Sequence, residues 1–224
     1  STGDADGGET VATAPVPELS FDEWDRILQG FLGESLQVPP MYSALKKDGK
    51  RLYELARKGE VVEREARPIR IDDISLLEAA GTRLVFRVTC SKGTYVRVLV
   101  EDIAKAAGTV GHTARLHRES VGPFRATEMV DLAAVEALAA KDREALRAAL
   151  LTPDVALQGM AAVEIGTEDG AKFCGGQCVT GVPAENAGTV RVYAADKVFL
   201  GVGGLSEEGA LAPRRVFKAS EKTL

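Results

Sequence analysis

Two stretches of the chain hold residue types that could do chemistry together. The first is Cys90-Ser91-Lys92-Gly93-Thr94-Tyr95-Val96-Arg97. An alternating apolar run ends at Cys90, Gly93 turns the chain, and helical spacing begins. The free N–H groups of such a first turn would face a ligand, and Lys92 adds charge beside them. Tyr95 offers a ring that can stack on a base, and Arg97 a planar fork for a carboxylate or phosphate. A plain capped helix with an amphipathic tyrosine and a surface arginine fits the same residues. The second stretch runs from Gln37 to Gly59. Pro39 and Pro40 stiffen a loop that feeds Lys46, Lys47, Gly49, Lys50 and Arg51. Such a layout can hold cations at fixed positions against phosphates. Turns rich in Lys and Arg are also common on ordinary surfaces.

These residues need elements to position them. Ser20-Phe21-Asp22-Glu23 is a capping-box pattern, and Phe21, Trp24, Ile27, Leu28 and Phe31 follow at helical spacing, with Gly33 expected to close the helix. Lys50 to Lys58 reads as a short helix ended by Gly59. Val61 to Val62 and Ile69 to Leu77 read as strands. Arg83 to Cys90 alternates, with Leu84, Phe86, Val88 and Cys90 on one face. Thr94 is expected to cap a helix to Ala107, stopped by Gly108, with Val96, Leu99, Val100 and Ile103 as its buried stripe. Val110 to Val121 reads as a further strand. Asp131 caps a helix from Leu132 to about Leu150, Thr152-Pro153 breaks it, and Asp154 to Met160 is expected to be a linker. Beyond it, Thr189 to Tyr193, Lys197 to Val202 and Leu211 to Lys218 read as short strands of a small β-rich domain.

The 224 residues suffice for one large or two modest domains. The acidic, Gly-rich start to Pro17 reads as a mobile lead-in without signal-peptide character. No apolar run reaches the ~18 residues of a membrane span. Cys90, Cys174 and Cys178 are odd in number, which points to a reducing cytosol and away from a disulfide framework. Cys174 and Cys178, with only His112 and His117 available, fall short of a zinc set and read as ordinary thiols. The net charge of -5 argues against a simple nucleic-acid binder. Its distribution argues otherwise. Residues 44–70 carry nine bases (Lys46, Lys47, Lys50, Arg51, Arg57, Lys58, Arg64, Arg67, Arg70) against five acids. Local potential, not whole-chain charge, attracts a phosphate backbone, although a solvated charged face has the same composition. There is no GxGxxG or Walker loop to suggest a generic nucleotide enzyme.

Taken in order, five segments resemble the TruB family of bacterial tRNA pseudouridine synthases. They are VPPMYSALKKDGKRLYELARKG, REARPI, CSKGTYVRVLVEDI, GHTARLHRESVGPF and GALAPRRV. The resemblance implies an α/β (α+β) fold with a mixed, largely antiparallel pseudouridine-synthase sheet, incomplete at its N-terminal part, over residues 1–153. It also implies a small β-rich PUA-like RNA-binding domain over 161–224. The implied activity isomerises uridine 55 in the T arm of tRNA to pseudouridine. No metal or cofactor is implied, and the setting is cytoplasmic. By position, Tyr95 would contact the flipped uracil or its ribose, and Arg97 would pair with the catalytic aspartate. Leu116 would form part of the apolar wall around the base. Lys46, Lys47, Lys50, Arg51 and Lys92 are candidate phosphate contacts, placed by charge alone.

The family carries its aspartate in a Gly-x-x-Asp-Pro-x-Ala-x-Gly stretch. No such stretch occurs in these 224 residues, and Asp4, Asp6, Asp48 and Asp102 do not match it. The expectation is therefore a partial copy that is inactive alone, with the nucleophile on an N-terminal segment of the same protein. A catalytically inactive tRNA-binding or RNA-chaperone module is the alternative.

Overall fold

Alternating apolar residues build the first sheet, and a change of phase within one strand shapes it. Strand β4 (Arg67–Ala80) buries Ile69 and Ile71, then Ile74 and Leu76. The parity changes where a bulge falls between Ile71 and Asp73, so both pairs reach the same core. β4 pairs antiparallel with β1 (Gly33–Gln37) on one side and β5 (Arg83–Cys90) on the other. The computed structural model describes residues 10–217 apart from Ala44, Asp48, Lys58 and Val61; the side chains of Lys46, Lys47, Lys50, Arg51 and Tyr53 lie outside that description. Asp4 and Asp6 also fall outside it. The chain divides into two compact units, residues 1–117 and 118–224.

In the first unit, helices α1 (Phe21–Gln29) and α3 (Val96–Ala106) bury Trp24, Leu28, Leu99 and Ile103 against β4. The expected face of β5, Leu84, Phe86, Val88 and Cys90, packs against this cluster. The capping box forms as read: the Glu23 N–H donates to Ser20 Oγ at 3.3 Å, and the Ser20 N–H to Glu23 Oε2 at 2.8 Å. These bonds hold the Glu23 carboxyl below its usual range. Phe21, expected in the buried stripe, is exposed instead. The helix ends at Gly30, not Gly33; Gly33 has φ +92° and opens β1, a strand without apolar alternation. Gly108, with φ +75°, ends α3 as expected, and the Thr109 N–H returns to the Ala104 carbonyl at 3.0 Å. The Thr109 hydroxyl donates to the Pro15 carbonyl at 2.8 Å, so the end of the lead-in is tied down.

Lys46–Lys47 (β2) and Lys50–Arg51 (β3) form a short antiparallel hairpin. The Leu52 N–H bonds the Leu45 carbonyl at 2.8 Å, so the helix expected from Lys50 starts only at Leu52 (α2, Leu52–Ala56). Val62 is in no strand, and its expected partner Val61 lies outside the described residues. Of the strand expected from Val110 to Val121 only Ser120–Val121 forms. Gly111 lies so close to α3 that a Cβ there would sit 2.9 Å from that of Ala104, and Val110 and Leu116, which would give the strand an apolar face, are exposed.

The second unit opens with a hairpin, β6 (Ser120–Val121) and β7 (Phe124–Arg125). Asp131 caps α4 (Leu132–Lys141) by accepting from the Ala134 N–H at 2.7 Å. The single helix expected to Leu150 is broken at Asp142, which turns extended and caps α5 (Arg143–Ala148) through the Glu144 N–H. A four-stranded sheet follows in the order β11 (Leu211–Val216), β10 (Phe199–Leu205), β9 (Gly188–Ala194), β8 (Ala161–Ile165). Its pairs are antiparallel except β8 with β9, so the chain is mixed α/β with largely antiparallel sheets. Helix α6 (Thr167–Cys174) drops Phe173 onto this sheet, where it is fully buried with Val179, Val190, Val192 and Leu211. Gly203 makes room: a Cβ there would lie 2.6 Å from Leu211 Cδ1 and 3.2 Å from the Phe173 ring.

The segment expected as a linker is tied to β9. Pro153–Leu157 forms a 3-10 turn. The Tyr193 hydroxyl donates to Asp154 Oδ2 at 2.7 Å, and Arg191 donates to the Tyr193 oxygen at 3.2 Å and to the Met160 carbonyl at 3.1 Å. Hydrogen bonds from Thr152 and Tyr193 hold the Asp154 carboxyl below its usual range, while burial and then Asp154 push Tyr193 up. Among the described residues no helix is long and apolar enough to cross a membrane.

Candidate functional site

The junction between β5 and α3 is built from backbone bonds. Ser91 extends the ladder by one residue: its N–H donates to the Arg70 carbonyl at 2.8 Å, and its hydroxyl accepts from the Arg70 N–H at 2.9 Å. Gly93, at φ +87°, then turns the chain in a conformation that side chains disfavour. The N-cap of α3 is Tyr95, not Thr94 as expected. A tyrosine cannot reach back to cap its own helix, and no side-chain cap bond forms. The Thr94 hydroxyl instead lies 3.4 Å from that of Ser91.

What holds Tyr95 is a residue 58 positions earlier. The Tyr95 N–H donates to Gln37 Oε1 at 2.8 Å, and Gln37 Nε2 donates back to the Tyr95 carbonyl at 3.2 Å. Gln37 is 5% exposed and is the last residue of β1, in which every other side chain is exposed. A second stitch follows two residues on, where Arg97 Nη2 donates to the Tyr42 carbonyl at 3.0 Å. The first turn of α3 is thus fastened to the strand end and proline loop that precede the basic hairpin. Tyr95 and Arg97 are both half-buried, so neither is sealed in hydrocarbon. Among the described residues the Tyr95 hydroxyl has no hydrogen-bond partner.

The other expected residues are spread more widely. Lys92 is exposed at the Gly93 turn. The backbone pairs Lys46 with Arg51 and Lys47 with Lys50, which gathers four cationic residues on one hairpin; their side chains lie outside the described residues. Leu116 is 58% exposed in a stretch without regular structure. Asp102 sits on the outer side of α3, where partial burial raises its carboxyl and Lys105 works against that shift. Cys174 and Cys178 are free thiols, and among the described residues no three His, Cys, Asp or Glu side chains gather as a metal set. Sequence reading gave Gln37 no role. A glutamine before Val-Pro-Pro carries no periodic signal, and its partner is remote in the chain.

The arrangement offers a half-buried ring and a guanidinium at a fixed strand-to-helix junction beside a basic hairpin. It can hold a planar ring, an anion and a phosphate backbone together.

Comparison with known proteins narrows this chemistry. Residues 1–96 match the N-terminal domain of the TruB family of pseudouridylate synthases. Residues 97–158 match the C-terminal domain of tRNA pseudouridylate synthase B, and 161–217 the C-terminal part of pseudouridine synthase II TruB. A tRNA pseudouridine synthase B of Nitrosococcus oceani is 45% identical over 216 residues, covering 96% of this chain and 70% of that protein. That of Pseudomonas putida is 43% identical over 220 residues, covering 98% and 72%. Among solved structures, a chain of a Cbf5-Nop10-Gar1 complex aligns with a TM-score of 0.68 at 21% identity, over 90% of this chain and 63% of that one. A chain of an H/ACA RNP bound to a substrate RNA containing 2'-deoxyuridine aligns with a TM-score of 0.67 at 19% identity, over 92% and 64%. The chain therefore spans less than two thirds of those solved chains, and at that identity the likeness speaks for the fold.

Proposed function

The chain belongs to the TruB family of tRNA pseudouridine synthases, and on that footing we propose that it serves to isomerise uridine 55 in the T arm of tRNA to pseudouridine. The reaction cleaves the N1–C1′ glycosidic bond, turns the uracil in place, and joins C5 to C1′; C5 gives up a proton and N1 gains one. It is an isomerisation and calls for no external oxidant or reductant. The target base must leave the T-loop stack, at a cost of a few kcal/mol that stacking and phosphate contacts offset.

The observation that carries this reading is the pairing of Tyr95 and Arg97 at a junction whose backbone is pinned from outside the helix. Tyr95 lies against the extruded nucleotide. Arg97 holds the carboxylate that works at C1′. Leu116, exposed on its own, covers the base once RNA is bound. Lys92 and the hairpin residues Lys46, Lys47, Lys50 and Arg51 meet phosphates. The nucleophilic aspartate has no counterpart motif among these residues, and we place it outside them, on another segment of the same protein.

Residues 161–224 act as a PUA-like RNA-binding domain in the cytoplasm, alongside the catalytic portion in 1–153. Exposed Arg214 and Arg215 on β11 support this, with the Arg214 guanidinium lying over Gly204 and donating to Thr189 Oγ1 at 2.8 Å.

The test is direct. The product of the full gene and this 224-residue polypeptide are each incubated with unmodified tRNA and assayed for pseudouridine at position 55. Turnover by the first and none by the second is expected; turnover by the polypeptide alone would overturn the placement of the nucleophile. Binding to tRNA should weaken steeply with added salt, with a log–log slope that reports the number of phosphate contacts. The missing aspartate motif also favours a second reading, an inactive tRNA-binding module, and full-gene protein that binds tRNA without converting it would establish that reading instead.

A further inference from the structure

We infer that Gln37 is a positioning residue for the reaction, setting the orientation of Tyr95 through its backbone; this rests on the reading of Tyr95 as the residue against the target nucleotide. β1 buries one side chain only, and that side chain is polar. A leucine or methionine would fill the same space and suit burial better. The carboxamide adds direction. Its two ends bond the N–H and the C=O of the same residue, at 2.8 and 3.2 Å. Fixing both groups fixes φ and ψ of Tyr95, and with them the direction of its Cα–Cβ bond. The Tyr95 carbonyl also accepts the first helical bond, from the Leu99 N–H at 3.1 Å, so its two lone pairs are both engaged.

The hold matters because Tyr95 is an N-cap that cannot cap itself. N-cap residues lie outside the helical φ/ψ region and fray easily unless a side chain pins them. At most helices that side chain is the cap's own. Here it arrives from another strand and bonds only backbone, and among the described residues the tyrosine hydroxyl has no hydrogen-bond partner. A shift of ~1 Å in such a group can cost on the order of a hundredfold in rate.

The experiment uses the full-gene protein with three variants, Gln37→Met, Gln37→Glu and Tyr95→Leu. We expect Gln37→Met to lower kcat by about tenfold to a hundredfold while KM for tRNA stays within about threefold. Gln37→Glu keeps the acceptor for the Tyr95 N–H and loses the donor to its carbonyl. Protonation of that carboxyl restores a donor, so its kcat relative to the unaltered protein should rise as pH falls from about 8 to about 5.5. A purely structural glutamine would lower the melting temperature of both variants and give no pH-dependent ratio. A folded Gln37→Met protein with kcat within about twofold of the parent would overturn the inference, as would a flat ratio for Gln37→Glu should the methionine variant fail to fold. Unchanged turnover in Tyr95→Leu would instead remove the role given to Tyr95. The clamp is then judged by amide exchange in the 224-residue chain. Exchange at Tyr95 should be at least about tenfold faster in Gln37→Met with Ile103 unaltered, and unchanged exchange at Tyr95 would refute the clamp itself.

Discussion

Two tyrosines in this molecule are held in opposite ways. Tyr193 in the second unit is held by its hydroxyl, which donates to Asp154 and accepts from Arg191, and its ring packs 5.5 Å from that of Phe199. Tyr95 in the first unit is held by its backbone, through Gln37. The first arrangement consumes the side chain and ties residues 153–160 to β9. The second fixes the residue and leaves its side chain for something else. Arg191 and Arg97 do not separate so cleanly, since both donate to backbone carbonyls. A tyrosine beside an arginine is therefore no signature of a site; what distinguishes one is where the polar bonds are made.

The sharpest way to break this contrast is Arg97→Ala in the full-gene protein. It should lower pseudouridine formation by about a hundredfold or more, with tRNA affinity kept within a few-fold. An equal loss of both in kinetic and binding assays would make Arg97 a phosphate contact. Next in size, Phe173→Ala should destabilise the second unit by about 3–5 kcal/mol in denaturant unfolding, because nothing nearby can fill the space above Gly203. Tyr193→Phe removes a structural hydroxyl and should cost about 1 kcal/mol while leaving turnover per folded molecule unchanged. A fall in turnover there would erase the distinction between the two tyrosines.

The same variant sharpens the contrast through pH. Asp154 sits below its ordinary 3.8, so the stability it contributes is present above that value and lost as pH falls through its lower folded value. Tyr193 sits above its ordinary 10.0, so its contribution is present below that value and lost as pH rises through the folded one. The stability gap between the parent and Tyr193→Phe should accordingly be flat in between and shrink at both extremes. Smallest of all, Ser20→Ala should cost about 0.5 kcal/mol by opening the exposed capping box, read as a modest fall in melting temperature.

Much of this was legible in the sequence where a single element carries its own signal. Ser20 and Glu23 announce a helix start, β5 alternates, and Gly108 ends α3, because each depends on neighbours within a few residues. The misreadings share the opposite cause. β1 has no alternation, since only Gln37 turns inward, and it exists because β4 offers it an edge. Residues 110–119 carry strand-like spacing, yet Gly111 is drawn against α3 and the segment stays irregular. The α4–α5 break depends on whether Asp142 prefers its own cap to an unbroken helix, a choice between two local solutions of similar merit. In the candidate site, Tyr95 and Arg97 stood out by type and spacing, and the family resemblance supplied their roles. Gln37 did not, because a hydrogen bond across 58 residues leaves no trace in local pattern.

The pairing of β1 with β4 has a consequence for how the protein matures. Four of the five residues in β1 face solvent, so apolar contacts do little to choose among sliding alignments of that strand. Displacement by one position would turn the glutamine to water and leave the tyrosine cap unsupported. Such a misthreaded form would keep its strand and lose both bonds that hold the Tyr95 backbone. A preparation could then contain two folded populations, told apart only by whether the last residue of a short edge strand has found its partner.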